Sequence, residues 1–214
     1  MCGRYAITLP PEAVRSYFGF SDQPNFPPRQ DVRPTQAVPI VRLENGERRF
    51  ALVRWGFIPG FVKDEKEFPL LINARSETVF EKASFRNAIK RRRCLFIADG
   101  FYEWQKLDDK GRKKRPFLVR RPMQGPLALA GIWECWQSKD GSEIDTAAIL
   151  TTSANAVLAA IHDRMPVILE PRQFDAWLAP ETANPDVARM MQPLDDDALE
   201  LVPLDAAPKD DLFG

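Results

Sequence analysis

The second residue of the chain, Cys2, has the groups needed for covalent chemistry. If Met1 is removed, Cys2 presents an α-amine with a pKa of ~8 beside a thiol with a pKa of ~8.5. Such a pair can condense with an aldehyde, because the amine forms an imine and the thiol then adds to the same carbon, closing a thiazolidine ring. The alternative interpretation is that Cys2 is only a small residue after the initiator.

A second polar segment, Asn73-Ala74-Arg75, follows an apolar run. Helical spacing predicts a helix over residues 76–93, with Ser76 as its N-cap. An amide and a guanidinium would then lie where a strand meets a helix, and helix N-terminal amides favour an anion such as phosphate. The alternative is an ordinary helix start in which Arg75 pairs with an acid.

A third group of polar residues interrupts apolar strands. Glu103 lies between Tyr102 and Trp104, which favours partial desolvation, a raised pKa and a role in proton transfer. His162 is the only histidine, so a His-rich metal site is excluded; it is either a proton-transfer group or a structural hydrogen-bonding residue. We expect neither a metal nor a cofactor.

Composition limits the class of protein. The 214 residues contain 30 Lys and Arg and 30 Asp and Glu, and 44% are hydrophobic, which fits one compact domain. No apolar run approaches the ~18 residues of a membrane span, so an integral membrane protein is not expected. The amino terminus lacks a signal pattern, and the three cysteines have no zinc-like spacing, which predicts a cytoplasmic protein.

Charge is distributed unevenly. Thirteen Lys and Arg face four Asp and Glu between Arg86 and Arg121, whereas acids dominate from Met191 onward. The basic run is either a solvated helix end plus a charged hairpin, or a surface that faces phosphates.

The elements needed to position these residues are many strands and a few short helices. This pattern predicts an α+β domain with a curved or barrel-like, mainly antiparallel sheet core and flanking short helices. Strands are predicted at 37–43, 49–57, 94–98, 101–104, 116–119, 127–136 and 147–152, helices at 13–20, 76–93, 154–161, 172–178 and 185–191, and a proline-rich loop at 24–34. We expect one domain over residues 1–208 and a loose tail over 209–214.

Several motifs in this order resemble those of the SRAP family, the SOS response-associated peptidases. They are Cys2-Gly3-Arg4-Tyr5, Arg54-Trp55-Gly56, Asn73-Ala74-Arg75-Ser76-Glu77-Thr78, Ala98-Asp99-Gly100-Phe101-Tyr102-Glu103-Trp104, Ala130-Gly131-Ile132-Trp133 and His162-Asp163-Arg164-Met165-Pro166. The chain departs from the family pattern at Gln30-Asp31 and at Phe61-Val62, where Phe61 stands near the position of a stacking Trp.

The resemblance implies a sensor and shield of abasic sites in single-stranded DNA. In that family the mature amino-terminal cysteine forms a thiazolidine crosslink with the ring-opened sugar, and the peptidase label matches removal of the preceding residue. Carried over by position, the catalytic set is Cys2 as nucleophile, Asn73 for positioning, Glu103 for proton transfer at the amine, and His162 for ring opening and crosslink reversal.

The resemblance further implies that Arg4, Arg75 and Arg164 hold the flanking phosphates. The partner would be single-stranded DNA that contains abasic sites, with no membrane, and the protein would be a cytoplasmic monomer that associates with the nucleoid on damage.

Two other classes of protein stay open. One is a cysteine peptidase that acts on other proteins through Cys2 or Cys94 with His162. The other is a non-catalytic module that binds single strands through the basic segment and aromatic residues.

Overall fold

The structure is a computed structural model that describes residues 2–24 and 26–206. Over these residues it contains thirteen strands and five α-helices. The strands are β1 (Tyr5–Ile7), β2 (Arg29–Val32), β3 (Ala37–Glu44), β4 (Glu47–Trp55), β5 (Asn73–Arg75), β6 (Arg93–Ala98), β7 (Gly100–Lys106), β8 (Lys114–Arg120), β9 (Leu127–Gln137), β10 (Glu143–Ser153), β11 (Arg164–Pro166), β12 (Ile168–Leu169) and β13 (Glu200–Pro203). The helices are α1 (Pro11–Phe18), α2 (Arg86–Arg91), α3 (Ala156–Ala159), α4 (Phe174–Leu178) and α5 (Asn184–Met190).

Five strands close into a barrel. Around it β10 pairs with β4, β4 with β3, β3 with β6, β6 with β9, and β9 with β10 again. The β4–β10 pairing is parallel and the other four are antiparallel. Apolar side chains such as Ile40, Leu95 and Ile149 are fully buried in these strands. The predicted α+β class with a barrel-like, mainly antiparallel core is therefore confirmed.

A second sheet of five strands has the order β13-β8-β7-β1-β2. The chain passes from the barrel into this sheet at Asp99, between β6 and β7. Asp99 fixes the crossing because its Oδ2 accepts hydrogen bonds from the backbone N–H groups of Thr8 (2.5 Å) and Leu9 (2.9 Å). A Cβ on the next residue, Gly100, would lie 2.7 Å from Leu118 Cδ1 and 3.2 Å from the Val119 carbonyl, so a larger residue here would have to displace Leu118.

Most predicted elements are confirmed, with small shifts at their ends. Helix α1 begins at Pro11, where the missing N–H of proline costs nothing, and ends before Gly19, whose φ of 70° is left-handed. The predicted hairpin around residues 108–114 joins β7 to β8. Three 3-10 turns, at Glu65–Glu67, Pro171–Gln173 and Asp196–Ala198, complete the helical segments in the part of the chain described.

Two of the predicted elements are wrong. Residues 76–85 form successive turns, and helix α2 begins only at Arg86. Thr78, Val79 and Phe80 are β-branched or aromatic residues that lose side-chain freedom in a helix, and the turns let Val79 become fully buried. The predicted loop at 24–34 contains β2, whose Val32 is buried and pairs with Tyr5 of β1.

Met1 and residues 207–214, which include the predicted tail, lie outside the described residues. No helix among the described residues is both long enough and apolar enough to cross a membrane.

Candidate functional site

Asn73 holds the beginning of the chain against the barrel. Parallel pairing with β10 fixes β5, with Asn73 opposite Ile149. The Asn73 Nδ2 group donates a hydrogen bond to the Cys2 carbonyl at 3.0 Å. Its Oδ1 atom is buried and has no hydrogen-bond partner among the described residues, so one acceptor remains for a further donor.

Glu103 and His162 reach the same place from two other elements. Glu103 lies on β7 and is 3% exposed, and its charge acts on the Cys2 thiol. His162 lies between α3 and β11, with its Nε2 atom 3.9 Å from Glu103 Oε2. The His162 Nδ1 atom accepts the backbone N–H of Arg164 at 3.0 Å. The same Nδ1 atom lies 3.1 Å from the exposed Asp163 Oδ1, while Nε2 faces Glu103.

Burial changes the acidity of all three titratable groups. It raises the pKa of Glu103 to about 7, and it lowers the pKa of His162 below its usual value. It also raises the pKa of the Cys2 thiol well above the usual range, so this thiol is neutral in the folded chain. Near neutral pH, Glu103 therefore exists in both proton forms, which suits it to proton transfer.

The three arginines implied as phosphate ligands differ in their surroundings. Arg75 follows Asn73 on β5, is exposed, and forms no ion pair within residues 2–24 and 26–206. Arg164 donates to both Glu77 oxygens, at 2.5 and 2.9 Å, and to the Thr151 carbonyl at 2.7 Å. These bonds also lower the pKa of Glu77.

Arg4 lies on another side of the site. Its Nε donates to Asp31 at 2.7 Å, and its guanidinium lies 5.3 Å from the centre of the Trp104 ring. Successive strand residues face opposite ways, so Arg4 packs on the face of β7 that is opposite to Glu103. The structure thus brings Cys2, Asn73, Glu103 and His162 together, and sets Arg4 apart.

Glu77 pairs with Arg164 and Asp31 pairs with Arg4, two contacts that the sequence reasoning missed. Asp31 is 4% exposed and receives hydrogen bonds from both Arg4 and Arg33. Burial acts to raise the pKa of Asp31, but these two arginines outweigh it and lower the pKa. The alternation of Arg29, Asp31 and Arg33 was an available signal, because residues two apart share a strand face.

The expected anion site at a helix start after Arg75 is wrong, because no helix begins at Ser76. The backbone N–H of Ser76 instead donates to the Thr151 carbonyl at 2.8 Å, which continues the pairing of β5 with β10. Any anion near Arg75 would therefore depend on side chains and not on helix N-terminal amides.

Cys94 and the basic run have separate surroundings. Cys94 lies fully buried on β6, so its thiol is not accessible to a protein substrate. The basic run does not form one surface, because Arg93 is 2% exposed and donates to the backbone carbonyls of Ile89 and Trp177. Six cations between Lys106 and Arg115 lie exposed on the β7–β8 hairpin, whereas Arg120 and Arg121 pair with Glu200 and Glu170.

Phe61, near the position where the family pattern has a stacking Trp, is 60% exposed and meets Phe68 edge-on at 6.1 Å between ring centres.

Over residues 2–24 and 26–206, no three His, Cys, Asp or Glu side chains converge in a way that could hold a metal ion.

Comparisons with known proteins agree on one family. The family model named "SOS response associated peptidase (SRAP)" matches residues 1–207. The abasic site processing protein YoqW of Bacillus subtilis is 36% identical over 94% of this chain and 90% of its own length. The abasic site processing protein HMCES of Xenopus tropicalis is 28% identical over 91% of this chain and 71% of its own. A crystal structure of a Bacteroides thetaiotaomicron protein has a TM-score of 0.85 and 26% identity, covering 95% of this chain and 92% of that one. The chain described here belongs to the SOS response associated peptidase family.

Proposed function

We propose that this protein senses abasic sites in single-stranded DNA and shields them through a covalent crosslink to Cys2, formed after Met1 is removed. The observation that carries the proposal is the convergence of four groups from separate elements: Asn73 Nδ2 lies 3.0 Å from the Cys2 carbonyl, and Glu103 and His162 lie 3.9 Å apart beside it. Relatives that are named abasic site processing proteins support the same substrate.

The chemistry balances without a cofactor. The α-amine of Cys2 attacks the aldehyde of the opened sugar, and loss of water gives an imine. The thiol then adds to the imine carbon, a C–S bond forms, and the thiol proton passes to the nitrogen. The product is a five-membered ring in which both bonds to the lesion come from one residue, so the adduct survives better than an imine alone.

The surrounding groups divide the proton transfers. Glu103, with a pKa of about 7, takes a proton from the ammonium of Cys2 and leaves the amine free. His162, neutral and half-buried, exchanges protons with the closed sugar and opens it to the aldehyde. Asn73 is the positioning residue, since it holds the Cys2 carbonyl and leaves its buried Oδ1 for the amine or a sugar hydroxyl.

The test of the function is a denaturing gel with an oligonucleotide that carries one abasic site. We expect a band of protein plus DNA that survives heating, forms more readily on a single strand than on a duplex, and is absent with a reduced sugar that cannot form an aldehyde. Intact mass should show active protein that begins at Cys2. A heat-stable band of equal yield with the reduced sugar, or active protein that retains Met1, would contradict the proposal.

Arg75 is the arginine from which we expect the clearest effect on binding before chemistry. It is exposed and forms no ion pair in the described structure, so it can meet a phosphate without losing an existing partner. Arg75→Ala should weaken association with intact and abasic strands alike, and reduce the log-log salt slope by about 0.7 for the lost phosphate contact. Fluorescence anisotropy across a salt series measures both.

Two variants control this experiment. Arg189→Ala removes another exposed arginine, one that pairs with Asp186 on α5, and should leave the slope unchanged. Glu77→Gln removes the charge that pairs with Arg164. If Arg164 also contacts a phosphate, this variant should bind DNA more strongly. A slope that is unchanged in Arg75→Ala would contradict the assignment of this residue.

A further inference from the structure

The β7–β8 hairpin extends beyond the sheet to which it belongs. Strand β1 pairs with β7 only at Gly100 and Phe101, and β13 covers β8 only from Phe117 to Arg120. Residues 105–115, here called the hairpin arm, therefore form a two-stranded projection without a neighbouring strand on either side. The strand pairing in the arm runs to Lys106 opposite Lys114, and residues 107–113 form the turn at its tip.

The hairpin arm carries a dense and unpaired positive charge. Six of its residues are cations, all exposed: Lys106, Lys110, Arg112, Lys113, Lys114 and Arg115. None of them forms an ion pair with any residue in the part of the chain that the structure describes. Arginines elsewhere behave differently, since Arg42, Arg48 and Arg120 each pair with a carboxylate within 2.8 Å.

The acids near the hairpin arm do not compensate for this charge. Asp108 turns back to the main chain, where its Oδ1 accepts the Lys113 N–H at 3.0 Å. The acidic Glu200 pairs with Arg120, at the base of β8 and away from the tip. Asp109 is then the one remaining acid of the hairpin arm.

The register of the hairpin places two like charges directly opposite each other, Lys106 and Lys114. Cross-strand pairs of like charge destabilise a sheet, and the effect is larger in a two-stranded ribbon with no neighbours. An anion bound along the arm would remove this repulsion, and a polyanion would meet all six cations.

The position of the arm relates it to the candidate site. Its first residues continue the strand that carries Glu103, and Gln105 Nε2 donates to the Ala160 carbonyl at 3.3 Å, just before His162. The hairpin arm thus begins beside His162, where the charge of Lys106 acts on the imidazole.

We propose that the hairpin arm binds the phosphate backbone of the single DNA strand on the His162 side of the lesion. This inference rests on the proposed function for the identity of the polyanion. The arm contributes affinity and orientation, while the covalent step stays with Cys2.

The experiment compares a double variant of the tip, Arg112→Ala with Lys113→Ala, with a double variant of another surface, Arg172→Ala with Arg189→Ala. Both remove two exposed cations and leave the four site residues intact. We expect the tip variant to lower the log-log salt slope for an intact single strand by about 1.4, at about 0.7 per lost contact, and the other variant to leave it unchanged. Asp109→Asn removes an acid from the same arm and should strengthen binding.

The flanks of the lesion supply the second readout. With long flanks, the tip variant should crosslink more slowly at subsaturating DNA and reach the wild-type yield at saturation. Two further substrates have either the 5′ or the 3′ flank cut to about two nucleotides. On one of them, the wild type and the tip variant should crosslink at equal rates, because the shortened flank no longer reaches the arm.

Three results would overturn the proposal: a wild-type salt slope in the tip variant, a defect that is the same on both shortened substrates, or an equal loss in the control variant. Thermal unfolding of each variant shows whether the fold is intact. If the wild type forms no covalent adduct at all, the proposed function fails, yet the salt slopes on an intact strand still decide whether the arm binds DNA.

Discussion

Replacing Cys2 with alanine should remove nearly all of the adduct that survives heating, although the variant still presents an α-amine. Without a thiol the reaction stops at the imine, which water reverses. Cys2→Ser should give only a small yield, because the hydroxyl is a weaker nucleophile than sulfur and closes the ring poorly. Time courses on a denaturing gel, with and without borohydride to trap the imine, separate the two chemical stages.

The matched control for this prediction is Cys135→Ala, because Cys135 is the exposed free cysteine on β9 and its loss removes an accessible thiol without touching the site. This variant should crosslink as the wild type does. A heat-stable adduct of wild-type yield in Cys2→Ala would rule out the thiazolidine, and loss of the adduct in Cys135→Ala would move the nucleophile elsewhere.

Glu103→Gln and His162→Ala should fail in different ways, since they act on different protons. Glu103→Gln should slow crosslinking by about 10²-fold at neutral pH, even with an aldehyde that is already open, because the ammonium of Cys2 keeps its proton. His162→Ala should slow the reaction by a similar factor on the closed sugar only, and should also slow reversal of the crosslink. The measurement is the rate of adduct formation with a closed-ring and an open-chain substrate.

The pH dependence follows from the pKa of Glu103. The carboxyl must be ionised to accept a proton, so the wild-type rate should rise with pH through about 7. In Glu103→Gln the Cys2 amine loses its proton only as the pH passes the pKa of the amine, ~8. The rise of the crosslinking rate with pH should therefore shift up by about one pH unit, and the rate of the variant should approach the wild-type rate at higher pH. Glu143→Gln, at an exposed glutamate on β10, should leave the profile unchanged. Equal losses in both site variants on both substrates at every pH would contradict separate proton roles.

Residue types alone left structural alternatives open for Cys2, Asn73 and His162, and the family resemblance is what selected these residues together with Glu103. The structure brings the four side chains together, and their catalytic roles stay predictions. Short apolar runs bounded by turn residues also predicted most barrel strands, because these strands are buried over much of their length, as β6 is at all six residues.

The segment after Arg75 shows where sequence reasoning stops. Val79, Phe80, Ala83, Ala88 and Ile89 have helical spacing, yet the chain forms turns up to Phe85. Distant contacts also act on this segment, since Glu77 meets Arg164, which is 87 residues further along the chain. Closure of the barrel by β9 and β10, and the pairing of Asp31 with Arg4, depend on similar long-range contacts that no local pattern contains.

Strand β10 is the common neighbour of β5 and β11, with Thr151 opposite Arg75 and Ser153 opposite Arg164. The separation of these two arginines is therefore set by main-chain register, and side-chain substitution leaves it unchanged. If both arginines contact phosphates, as the resemblance implies, point mutations would change the strength of those contacts but not the spacing between them. An insertion or deletion within β10 would shift one arginine relative to the other by a single pleat, at the cost of turning the buried residues of that strand outward. The spacing of the two phosphate contacts would thus be harder to change than the affinity.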